Sequence, residues 1–238
     1  MPPSQVPGDG LHLAYREWHG HLAEDPLVLL HGVTGSGEDW KSVAPGLPER
    51  RIIALDARGH GHSEWDPGED YVTDSHFADV VVALSSLGIG RFAVAGFSMG
   101  GGIAMLLAAA LPERVSSLVV VDSYPDPRMT PGSRRIASWV SSLDAGAGSF
   151  DPAIARQFRT NMAEGRERLD LWSVWESVQC PTLVVRGERS DVLTADMAAE
   201  MVRRQPLAQL QTIAGVAHGI PFAKPAELAA AIVGFLET

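Results

Sequence analysis

The sequence predicts an α/β protein built on a mostly parallel, doubly wound central sheet with a small helical insertion. Short β-rich runs alternate with helical patterns along most of the 238 residues, which is the rhythm of βαβ units. Several of the runs, such as Leu118–Val121 and Leu183–Val185, are apolar at successive positions. That pattern fits strands covered by helices on both faces. From Tyr124 to Val178 the rhythm stops, leaving weak helical patterns and no convincing strand.

Taken in order, Leu11, Leu13 and Tyr15 alternate with His12, Ala14 and Arg16, which predicts a half-solvated antiparallel edge strand. The runs Leu27 to Leu30, Arg51 to Leu55, Arg91 to Phe97, Val115 to Val121, Thr182 to Arg186 and Leu210 to Ile213 are the other expected strands. Helices are expected over Glu38 to Val43, Thr73 to Leu87, Met99 to Ala110, Ala195 to Gln205 and Ala223 to Leu236. Several of them stop at Gly or Pro. Within the insertion, the stretches Ser133 to Leu143, Ala153 to Ala163 and Asp170 to Ser177 read as helical. The expected organisation is a core of residues 1–123 and 179–238 with a cap at 124–178. The cap carries seven Arg and seven Asp or Glu, so the rest of the chain holds the whole net charge of -10.

Length and composition bound the function. A chain of 25.4 kDa, 45% hydrophobic and with mean hydropathy +0.04, can bury one sizeable core. With 19 Lys and Arg against 29 Asp and Glu, there is no basic footprint to neutralise phosphates, and no nucleic-acid partner is expected. The longest apolar run, Gly101 to Leu111, ends at Pro112, short of the roughly 20 residues of a membrane-spanning helix. The start, MPPSQVPGDG, lacks the features of a signal peptide, and Cys180 is the single cysteine. The expectation is a cytoplasmic protein acting on a small molecule, with no membrane partner; the oligomeric state is not legible.

The sharpest motif is Gly96-Phe97-Ser98-Met99-Gly100, between an expected strand and an expected helix. It matches G-x-S-x-G in the strand–turn–helix context that exposes a nucleophilic serine. The glycines suit a strained turn in which side chains would collide with neighbours. A serine hydroxyl needs a base within hydrogen-bond reach, itself oriented by a third group. His218, in Gly215-Val216-Ala217-His218-Gly219 between the last strand and the last helix, is the expected base. His12, His19 and His21 read as solvated, and His76 falls within a helix. For the acid, Asp191 follows the strand Thr182 to Arg186 and would fix the tautomer of His218. Glu188 and Asp122, the latter also at a strand end, are its rivals. In His31-Gly32-Val33-Thr34-Gly35 the glycines permit a loop whose N–H groups turn inward, so that the Val33 and Met99 amides would form an oxyanion hole. His31 is read as a structural hydrogen-bonding residue of that loop.

The order Ser98, Asp191, His218, with an HG loop ahead of the serine, resembles the α/β-hydrolase fold family. Asp56-Ala57-Arg58-Gly59-His60-Gly61-His62-Ser63 resembles the family's D-x-R-G-x-G-x-S stretch, and Trp40 follows the HG loop. The resemblance implies that Asp56 and Arg58 are structural. Phe97 stands where many relatives carry His. Relatives that are haloalkane dehalogenases or epoxide hydrolases carry aspartate where this chain has Ser98, which argues against both activities. The implied activity is hydrolysis of a carboxylic ester, lactone or thioester through an acyl-enzyme, with no cofactor and no metal. A ligand-binding receptor with little turnover and a cofactor-free perhydrolase or haloperoxidase are the alternatives. Phe97, Trp139, Trp172 and Trp175 are candidates for lining an apolar substrate pocket, alongside Phe150, Phe158 and Met129; the same aromatics also fit a cap core.

Overall fold

The computed structural model describes residues 3–18, 25–47, 50–143, 149–165 and 169–238; His19 and His21 lie outside them. Eight strands form one sheet: β1 (Ser4–Pro7), β2 (His12–Trp18), β3 (Leu27–Leu30), β4 (Ile52–Leu55), β5 (Phe92–Phe97), β6 (Val115–Val121), β7 (Thr182–Gly187) and β8 (Ala208–Ile213). Their order across the sheet is β1-β2-β4-β3-β5-β6-β7-β8. β1 and β2 are antiparallel additions, and every pairing from β4 to β8 is parallel.

The helices are α1 (Thr73–Ser86), α2 (Met99–Ala110), α3 (Pro131–Ser141), α4 (Pro152–Ala163), α5 (Trp172–Glu176), α6 (Ala195–Arg204), α7 (Ile220–Ala223) and α8 (Pro225–Leu236). Residues β-branched or apolar at successive positions make β3, β4, β5 and most of β6 fully buried, because helices cover both faces. One face packs against α1, α2 and α6, with Val28, Val94, Leu118 and Val120 beneath them. The other face holds Leu29, Ala95, Val119 and Val185 under α8. No described helix is long and apolar enough to cross a membrane.

Three features depart from the expected arrangement. β2 is not the edge: it lies between β1 and β4, with Val6 opposite Leu13 and Tyr15 opposite Leu55. β1 carries Pro7 at its end, where the missing N–H disrupts no interior ladder. The stretch at Glu38 forms only a short 3-10 turn, Gly37–Trp40, whose Ser36 cap accepts from the Glu38 N–H. Finally, α3, α4 and α5 occupy the stretch between β6 and β7, but they do not pack as one unit. α3 and α4 pack on each other, whereas Leu171, Trp175 and Val178 join the core beneath α2.

Two local features prepare the site. In the tight turn after β5, Ser98 has φ 53 and ψ -114, a conformation that glycine tolerates and side chains resist. A Cβ on Gly96 would lie 2.1 Å from the Gly100 carbonyl oxygen, and one on Gly100 would lie 2.4 Å from that of Leu30. Both positions therefore demand glycine. Below this turn, His31, His60 and His76 pack together, with ring centroids 5.1 Å apart for the first two and 6.1 Å for the last two. His31 donates from Nδ1 to the Gly32 carbonyl and accepts at Nε2 from the Ala57 N–H, which fixes a neutral tautomer. Burial pushes His31 down to about 4, and His60 and His76 down to about 3.

These features generate two predictions. Ser98→Gly relieves the turn and raises unfolding stability by about 1 kcal/mol, measurable by urea denaturation; an unchanged or lower stability contradicts the strain. An unfolded imidazole titrates near 6.5, so the unfolded chain binds the extra protons below that pH. The stability due to the three neutral histidines is complete above pH 6.5 and is lost as pH falls toward 4 and then 3, by about 1.4 kcal/mol per pH unit for each. His76→Gln should therefore reduce the stability difference between pH 7.5 and pH 5 by about 2 kcal/mol; an equal difference in variant and parent refutes the account.

Candidate active site

Strand register brings the central groups together. Phe97 pairs with Val121 at the ends of β5 and β6, so the next residue of each strand, Ser98 and Asp122, emerges at the same edge of the sheet. Both turn out of their strands with positive φ, 53 and 47 respectively. Their amides are tied to the neighbouring strands, Ser98 N–H to the Val121 carbonyl and Asp122 N–H to that of Val185.

His218 arrives from the loop between β8 and α7 and bridges the pair. Its Nε2 is 3.1 Å from Ser98 Oγ and its Nδ1 is 2.7 Å from Asp122 Oδ2. A carboxylate only accepts, so Nδ1 carries the hydrogen and Nε2 is left to accept from the serine hydroxyl. The ring is further fixed by Phe97, which packs on it with centroids 4.8 Å apart. Phe97 is thus a buried wall behind the imidazole and does not line the cavity, contrary to expectation.

Asp122 takes the place expected for Asp191. It is fully buried, and its charge is met by three donors. Gly187 N–H reaches Oδ1 at 3.2 Å, and the Ser190 hydroxyl reaches Oδ2 at 2.6 Å beside His218. Ser190 in turn accepts from the Val192 and Leu193 N–H groups, so the loop after β7 is organised around the carboxylate of β6. Asp191 points outward instead, where Arg135 of α3 grips it with bonds of 2.6 and 2.9 Å. That guanidinium holds Asp191 below the usual carboxylate range. Glu188 accepts from the Gly215 N–H and is not at His218 either. Spacing along the chain cannot separate two acids that both follow strands; the available signal was that Asp122 directly succeeds its strand, as Ser98 does.

Around this chain lies a cavity of about 670 Å³ between the sheet edge and the α3–α4 pair. Val33, Ser98, Met99 and Asp122 line its floor. Met99 is the first residue of α2, where an N–H has no intrahelical acceptor. Among the described residues neither its amide nor that of Val33 meets an acceptor. Met129, Ile136, Phe158 and Leu171 give much of the wall. The expected tryptophans do not. Trp139 is exposed on α3; Trp172 bonds Asp126 through Nε1 at 3.1 Å and lies under the Arg204 guanidinium; Trp175 is fully buried with Nε1 on the Met201 carbonyl. The indoles of Trp172 and Trp175 serve packing, each N–H meeting a partner away from the cavity.

The D-x-R-G stretch braces the floor. Asp56 is fully buried and accepts from the Gly37 and His62 N–H groups at 2.7 and 2.9 Å. Arg58 makes a two-pronged pair with buried Asp79 at 2.6 and 2.9 Å. No cluster of three or more metal-ligating side chains occurs among the described residues.

Comparison with known proteins agrees with this architecture. The family model described as alpha/beta hydrolase fold matches residues 25–167. The chain is 30% identical to a mouse sn-1-specific diacylglycerol lipase, covering 95% of this chain and 85% of that one. It is 28% identical to a 3-hydroxybutyrate-oligomer hydrolase of Cupriavidus necator, over 93% and 92% of the two chains. A solved alpha/beta hydrolase from Novosphingobium aromaticivorans superposes with TM-score 0.84 at 26% identity, covering 98% of this chain and 97% of that one. With the serine turn, the parallel sheet and these likenesses together, the chain belongs to the α/β-hydrolase fold family.

Proposed function

We propose that the protein hydrolyses carboxylic esters of small molecules through an acyl-enzyme, with Ser98 as nucleophile, His218 as general base and Asp122 as the acid that orients it. The observation that carries the reading is the continuous chain from Ser98 Oγ through both nitrogens of His218 to Asp122, opening on a cavity. Names of relatives support the same chemistry, since a diacylglycerol lipase and a hydroxybutyrate-oligomer hydrolase both cleave esters.

The steps follow from the geometry. Ser98 Oγ attacks the ester carbon as His218 Nε2 takes the hydroxyl proton. Asp122 stabilises the resulting imidazolium through Nδ1–H without itself taking the proton. The Val33 and Met99 amides, which meet no acceptor among the described residues and lie at the cavity floor, receive the oxyanion; one such donor is worth about 3 to 4 kcal/mol of transition-state stabilisation. Collapse expels the alcohol, which receives the proton from His218, and a water activated in the same way releases the acid. Cys180, the sole cysteine and buried, supports placing this activity in the cytoplasm.

Two experiments check the assignment with a chromogenic acyl ester. Asp122→Asn should lower kcat by about 10⁴ through the wrong tautomer, whereas Asp191→Asn should stay within a few-fold of the parent, and Ser98→Ala should be inactive. The reverse ranking of the two aspartates overturns the choice of acid. Ser190→Ala removes the 2.6 Å donor on Asp122; it should cost about tenfold in kcat and displace the acid limb of the pH–rate profile, with Ser190→Thr recovering most of the loss. A variant with reduced stability but an unmoved profile would make Ser190 purely structural.

A further inference from the structure

The net charge of -10 would repel an anionic substrate at long range, yet the cavity has the opposite local character. Asp122 is the only acid among its described lining residues, and its charge is already met by three donors. Arg128 just precedes α3, and Arg134 and Arg135 follow its first turn, which carries no acid. Two are neutralised: Arg128 by Asp126, with bonds of 2.8 and 2.7 Å, and Arg135 by Asp191.

The third, Arg134, lines the cavity and has no carboxylate within ion-pair distance among the described residues. Among the described residues its side chain makes one hydrogen bond, from Nε to the Met129 carbonyl at 3.3 Å. That bond steadies the base of the guanidinium and leaves the terminal nitrogens uncommitted. On α4, which packs on α3, Gln157 and Asn161 stand one helical turn apart and line the same cavity. Neither side-chain amide has a hydrogen-bond partner among the described residues. One uncompensated guanidinium and two idle carboxamides thus face the cavity from the cap, while the proposed nucleophile stands on its floor.

We infer that this cluster is a carboxylate subsite, and that the preferred substrates are esters that also carry a carboxylate away from the scissile bond. One guanidinium matches the single charge of a carboxylate and its two oxygens, while the carboxamides can donate to the lone pairs left over. A dianionic phosphate would leave one charge uncompensated. Met129, Ile136 and Phe158 suit a hydrocarbon spacer between the two ends. The inference rests on the hydrolase reading above and adds the class of substrate.

The test measures ester hydrolysis by pH-stat. Monomethyl esters of the linear diacids from succinic to suberic are compared with methyl esters of monoacids of equal carbon number, and O-acetyl ω-hydroxy acids with the corresponding alkyl acetates. The readout is the ratio of kcat/KM, charged over neutral. For at least one length the parent should show a ratio above about 10, falling to near unity in Arg134→Gln, partly kept in Arg134→Lys and reduced by added salt. A parent ratio at or below unity at every length in both series, or one that Arg134→Gln leaves unchanged, overturns the subsite. If the parent cleaves no ester of either kind, the hydrolase reading fails. The subsite is then decided by calorimetry of glutarate and adipate with Ser98→Ala protein. Binding abolished by adding Arg134→Gln sustains it, and no binding, or binding indifferent to Arg134, overturns it.

Discussion

Everything at the sheet edge depends on the pairing of β5 with β6. Because Phe97 sits opposite Val121, Ser98 and Asp122 leave adjacent strands at the same height, and one imidazole can span them. A slip of one residue would turn one of these side chains to the opposite face. The register is fixed by burial: both strands lie in the middle of the sheet with apolar residues on both faces, so no alternative pairing keeps the core closed. The precision of the site is inherited from a buried ladder at the centre of the sheet.

The buried charge of Asp122 places a second demand on the fold. An isolated carboxylate in the interior is costly, and here it is met by an amide, a hydroxyl and an imidazole supplied by two other loops. The loop after β7 is therefore shaped by a side chain from β6. That arrangement explains why Gly187 has no room for a Cβ, which would fall 2.3 Å from the Ala217 carbonyl: the β7 loop and the His218 loop press together over the carboxylate.

Much of this was legible in the sequence. The central strands and α2 were readable because apolar runs and the G-x-S-x-G turn are local signals, and Ser98 with His218 followed from chemistry and order. The carboxylate that meets His218 was not, because Asp122 and Asp191 each follow a strand, and the choice rests on a contact between residues 96 positions apart. The affinity of Asp191 for Arg135, from a helix of the insertion, has no trace in local pattern. β1 escaped because four residues ending in Pro7 carry too little periodicity. The aromatic count of the insertion misled about the cavity, since Trp175 and Trp172 serve packing, whereas the polar Arg134, Gln157 and Asn161 face the open space.

Asp122 is followed at once by Ser123 and Tyr124, the buried stem from which the α3–α4 cap grows, with the Tyr124 hydroxyl bonded to Ser133 of α3. The proposed acid and the root of the cap are therefore one continuous piece of backbone. Anyone grafting a foreign lid onto this scaffold should cut downstream of Tyr124, since a splice at the strand end would exchange the carboxylate that holds His218 along with the roof.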